Sequence, residues 1–80
     1  MENQQKITQR HFQHVLRRYR MAMGLSQEQM SERIGVSKGF YSMMEIGRKW
    51  PNVDMIFRIA EAVGVRPGEL INALEDEAKK

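Results

Sequence analysis

The sequence predicts an all-α chain of five short helices. Apolar residues recur at helical spacing along most of its length, glycines or a proline punctuate at intervals of one short helix, and no stretch alternates as a strand would. Eighty residues enclose one modest core and hence one domain.

Each element follows from local pattern. Phe12, Val15, Leu16, Tyr19 and Met23 form one stripe of a first helix, with Thr8 as its N-cap and Gly24 as its stop. Ser26 opens a second helix, Gln29 completes a capping box, Met30 and Ile34 form the inner face. Gly35 ends that helix by taking a left-handed conformation that residues with a β-carbon resist. Ser37 caps a third helix running to about Ile46, closed by Gly47. Asp54 or Asn52 caps a fourth, whose stripe is Ile56, Ile59, Ala60 and Val63, stopped at Gly64. Pro67 at a first helical position and Glu69 in the first turn start a fifth, through Leu70, Ile71 and Leu74. Residues 1–8 read as a flexible N-terminal arm, 9–74 as the helical domain and 75–80 as a C-terminal tail, with both ends frayed.

Composition narrows the function. There is no cysteine, which removes disulfides and thiolate metal clusters and suits a reducing cytoplasm. No apolar run approaches the roughly 20 residues that cross a bilayer, and the polar start lacks a signal-peptide core. Residues 1–50 hold nine Lys or Arg against four Asp or Glu, whereas residues 51–80 hold four against six. The first part would attract polyanions and the second face away from them, the alternative being two ordinary solvated faces, since charge blocks this mild are common. An enzyme is a poor reading, with no cysteine nucleophile, phosphate-cradling loop or interpretable acid–base pair. No catalytic residue and no cofactor is expected. His11 and His14 lack a third metal ligand and read as part of a solvated face, while Met30, Met44 and Met55 read as gap-filling core. Trp50, beside Pro51, suits either stacking on a sugar or burial under the loop, with burial as a loop anchor favoured. Lys6, Arg10, Arg17 and Arg18 read equally as a phosphate flank or an exposed helix face.

Function concentrates between Gln27 and Ile46. Ser31 supplies the small residue needed where two helices cross and Gly35 the turn, while Met30, Ile34, Val36, Tyr41 and Met44 lock both helices to the core. By helical angle, Phe40, Tyr41 and Met44 share one side of the third helix, and Lys38, Gly39, Ser42, Met43 and Ile46 spread over the other.

With "GLSQEQMSERIGVS" followed by Glu45-x-Gly47 and "AEAVGV", the chain resembles the Cro and phage-repressor-like helix-turn-helix family, the xenobiotic-response-element class, over residues from about 12 to 71. The resemblance implies a lambda-repressor-like fold and binding of double-stranded DNA. It implies that Gln27 grips a phosphate with the backbone amides at its helix end. Ser37, Lys38, Gly39, Ser42 and Met43 would meet the major groove, and Arg48, Lys49 and Asn52 the neighbouring phosphates. Arg20 and Glu45 align with a structural ion pair. Three departures stand out: Ser31 replaces the usual alanine, Tyr41 a branched aliphatic, and Met43 a base-reading polar residue.

Direct base readout is therefore thin. Of the side chains that make two hydrogen bonds to one base, each discriminating by about 1–3 kcal/mol, this face offers Lys38 alone; Ser42 makes one ambiguous bond. Met43 and Phe40 are candidates for contacts to thymine methyl groups. The expected protein is a sequence-specific transcriptional regulator, more often a repressor by family habit. It would bind a palindromic operator as a homodimer with half-sites about 34 Å apart. Phe57, Ile71 and Leu74 suit either the core or a dimer face. The alternative is a protein-interaction module, an adaptor or antitoxin-type partner binder, using the same fold.

Overall fold

The computed structural model describes the backbone of residues 4–80 and the side chains from Arg10 onward. It contains five helices, α1 (Gln4–Ala22), α2 (Gln27–Ile34), α3 (Lys38–Glu45), α4 (Val53–Val63) and α5 (Pro67–Ala78), and no strand among the described residues. α1 packs against α3 and α5, α2 against α3 and α4, and α4 against α5.

Every helix contributes to one apolar interior. Phe12, Val15 and Leu16 of α1 meet Met30 and Ile34 of α2, Tyr41 and Met44 of α3, Ile56, Ile59 and Ala60 of α4, and Leu70 of α5. Burying a Val, Leu, Ile, Phe or Met side chain stabilises by about 1.5–3 kcal/mol, so this interior is the main force holding short helices in register. Tyr19, Val36, Phe40, Met55, Val63 and Leu74 pack around it, half-buried.

The starts of α2 to α5 follow the signals read from sequence. The Ser26 hydroxyl accepts from the Gln29 amide at 3.0 Å while the Gln29 side-chain oxygen accepts from the Ser26 amide at 2.9 Å. Ser37 accepts from Phe40 at 3.0 Å, and Asn52, rather than Asp54, caps α4 by accepting from Met55 at 2.8 Å. Pro67 stands at the start of α5.

Two boundaries differ from expectation. α1 begins at Gln4, so Thr8 lies inside the helix, and residues 4–8 of the expected arm continue it. Gln4, Gln5 and Lys6 have ordinary helix propensity and need no cap at Thr8 to propagate the turn. Met1–Asn3 and the Lys6 side chain lie outside the described residues. At the other end α5 continues through the expected tail to Ala78. Glu77 pairs with Arg18 of α1, and Lys79 stands 3.6 Å from Glu75 one turn back, so both reward a helical continuation. That contact also places Arg18 against α5.

Candidate nucleic-acid interface

The geometry of the interface begins at the turn between α2 and α3. Gly35 adopts φ +89°, and the amides of Gly35 and Val36 both donate to the Ser31 carbonyl, at 2.8 and 3.0 Å. From α4, Arg58 donates to the carbonyls of Ile34 and Gly35 at 3.1 and 2.7 Å, satisfying two acceptors that a helix end leaves open. Arg58 carries no signature in a linear reading, because its role depends on α4 lying across the turn. Ser31, buried at the crossing, donates its hydroxyl to the Glu28 carbonyl at 2.7 Å. The polar group that replaces alanine is thus satisfied within its own helix and costs little.

α3 is divided as its angular pattern predicts. Tyr41 and Met44 are wholly buried, whereas Lys38 and Gly39 are exposed and Ser42 and Met43 half-exposed. Ile46, just beyond the helix, is exposed. Beyond it Gly47 takes φ +83°, and the amides of Arg48 and Lys49 both donate to the Met43 carbonyl, at 2.9 and 3.1 Å. This closed turn sets two exposed cations just past one end of α3, with Lys38 at the other. Trp50 stays 40% exposed instead of buried. The backbone bonds to Met43 already fix the turn, so the ring is not needed as an anchor.

Behind α3 lies a chain of hydrogen bonds. Arg20 grips Glu45 with two parallel bonds, Nε to Oε2 and Nη2 to Oε1, each 2.8 Å, and donates through Nη1 to the Leu25 carbonyl at 2.9 Å. The ion pair implied by the family resemblance is formed, and the Glu45 side chain is only 4% exposed. Burial would raise the Glu45 pKa, but the hydrogen bonds it accepts, led by Arg20, outweigh that and hold it below the ordinary value of 4.5. The Tyr41 hydroxyl lies near this carboxylate, yet no well-formed hydrogen bond satisfies it. Burial, then the neighbouring carboxylate, push the phenol far above its usual pKa.

Gln27 joins this chain to the surface. Its Nε2 donates to Glu45 Oε1 at 3.1 Å, and its Oε1 accepts from the Ser42 hydroxyl at 2.9 Å. The sequence marks Gln27 as a phosphate ligand but gives no sign of this bridge, which needs the spatial closeness of α2 and α3. A second Nε2 hydrogen remains for an outside acceptor. The Gln27 and Glu28 amides, and those of Lys38 and Gly39, are first-turn groups without an intrahelical acceptor. Glu28 sits among the first pair, whereas the first turn of α3 has no acid. Asn52 is exposed but spends its side-chain oxygen as a cap. His11 and His14 join no metal-binding group among the described residues. No helix among them is long and apolar enough to cross a membrane.

Comparison with known proteins gives a consistent result. A helix-turn-helix family model matches residues 16–70, more than half of the chain. An uncharacterized HTH-type transcriptional regulator of Methanothermobacter thermautotrophicus is 35% identical over 66 residues, covering 82% of this chain and 96% of the relative. The uncharacterized HTH-type regulator y4dJ of Sinorhizobium fredii is 36% identical over 59 residues, covering 74% and 77%. Among solved structures, the clp gene regulator ClgR of Corynebacterium glutamicum superposes with a TM-score of 0.81 at 21% identity, covering 90% of this chain and 77% of that one. This last likeness is one of fold.

Proposed function

The chain belongs to the Cro/C1-type helix-turn-helix family of transcriptional regulators, non-enzymatic DNA-binding proteins, and from that premise we propose how it acts. It is a sequence-specific repressor that occupies an operator as a homodimer. α3 lies in the major groove, with Lys38, Gly39, Ser42 and Met43 toward base edges and Ser37 at the helix entrance. Gln27 holds a phosphate through its remaining amide hydrogen. Arg48 and Lys49 hold phosphates beyond the far end of α3, beside Asn52. The observation that carries this reading is the sidedness of α3: its inner face is sealed in the core while its outer face is bracketed by Lys38, Arg48 and Lys49.

The homodimer is supported by what the core leaves uncovered. Leu74 packs on the interior, but Phe57 is 58% and Ile71 47% exposed. Paired recognition helices would meet half-sites about 34 Å apart on one DNA face. Footprinting on the DNA beside the protein's own coding region tests the proposal. A protected two-fold repeat there is expected; uniform, weak binding across the fragment would contradict it.

The exposed apolar side chains Ile46, Trp50 and Val53, which follow α3 in the chain, favour a second reading, in which a protein partner docks beside α3. A partner-binding module would bind DNA weakly at all sequences and lose that binding without loss of function when Lys49 is removed.

A further inference from the structure

We infer that Ser42 acts toward DNA purely as a hydrogen-bond acceptor and reads the exocyclic amino group of an adenine or cytosine. The inference rests on DNA being the ligand of α3, and it removes the ambiguity that a serine has in isolation. A hydroxyl offers one donor and two acceptor sites, so a free serine pairs with either kind of base edge. Here the proton is assigned by its neighbours.

The assignment starts at Arg20, which can only donate. Its two bonds to Glu45 fix the carboxylate in place, and its hydrogen bonds keep it in the charged, acceptor-only form. Gln27 approaches Glu45 Oε1 at 3.1 Å and must present its NH2 there, since its carbonyl oxygen would meet another oxygen with no proton between them. The Gln27 amide is therefore locked one way round, and its oxygen faces Ser42 at 2.9 Å. That oxygen has no proton, so the Ser42 hydroxyl must supply one. The proton points inward, and the lone pairs remain for whatever the half-exposed side chain meets.

In the major groove, adenine and cytosine present an amino donor, whereas guanine and thymine present carbonyl oxygens. An acceptor-only Ser42 bonds to the first pair and repels the second. Arg20, Glu45 and Gln27 are positioning residues in this scheme, acting on the base through Ser42.

The test uses the full chain and a library of randomised duplexes. Selection with the wild type and with Ser42→Ala identifies the position whose preference depends on the hydroxyl. One position is expected to lose roughly two- to tenfold in discrimination, the value of a single hydrogen bond, while the other positions keep theirs. On the wild-type site, analogues then remove exocyclic groups from that base pair one at a time. Loss of the same size when the adenine or cytosine amino group is deleted, and none further in Ser42→Ala, supports the inference. Loss on deleting the guanine or thymine oxygen instead overturns it, as does a motif that Ser42→Ala leaves unaltered; both leave DNA recognition standing. A wild-type protein that enriches no motif overturns the DNA reading and this inference together.

Discussion

Tyr41 and Glu45 show how a single residue carries conflicting demands. Tyr41 fills the centre of the core but brings a hydroxyl without a well-formed partner. A buried donor left unmade costs about 1–3 kcal/mol, so Tyr41→Phe should leave stability unchanged or raise it by about 1 kcal/mol. A denaturant titration showing a loss larger than that would mean that the hydroxyl is bonded after all, with the Glu45 carboxylate as the candidate. Glu45 has its pKa lowered on folding, so it contributes stability that is present above its unfolded value of 4.5 and is lost as pH falls through its lower folded value. Unfolding midpoints measured against pH should accordingly fall below about pH 4.5, and Glu45→Gln should flatten that limb. Arg20→Ala, which strands a buried carboxylate, should cost about 3 kcal/mol near neutral pH in the same assay.

At the scale of elements, short helices depend on their ends. α2 and α3 have eight residues each, too few to persist alone, and their caps and turn hold them in the domain. Ser37→Ala should cost about 1 kcal/mol by denaturant titration, with the Phe40 amide left open. Gly35→Ala should cost at least as much, because φ +89° disfavours a β-carbon and the added atom would stand 2.8 Å from the Arg58 guanidinium. These ends were legible in sequence because capping is local: Ser26, Ser37 and Asn52 sit beside the amides they serve, and Pro67 opens α5 where a helix needs no N–H. The inward and outward faces of α3 were legible for the same reason. What the sequence could not show were links across elements, namely Arg58 on the turn, Gln27 between Glu45 and Ser42, and Glu77 reaching Arg18 to prolong α5. Each joins residues at least 15 positions apart, beyond the reach of periodicity. Trp50 failed in the opposite direction, since an aromatic beside proline suggests burial and the turn proved to be held by backbone bonds to Met43.

Across the whole molecule, charge and apolar surface divide the labour. Lys38, Arg48 and Lys49 flank the outward face of α3, while Phe57 on α4 and Ile71 on α5 stand exposed. If these apolar side chains join two copies, Phe57→Glu should shift the sedimentation profile from dimer to monomer without unfolding the chain. An unchanged profile would place the dimer contact elsewhere. The same variant should weaken operator binding more than binding to a random duplex, because only the operator engages both copies.

On the proposed reading, the cations that bracket the outward face of α3 hold it on a phosphate backbone. Affinity for a short duplex measured over a range of salt concentrations tests this most directly. Binding should fall steeply as salt rises, and the double variant Arg48→Ala, Lys49→Ala should flatten the logarithmic slope by about two, near 0.9 for each phosphate released. Affinity indifferent to salt, or a slope that the double variant leaves intact, would mean that Arg48 and Lys49 hold no phosphate.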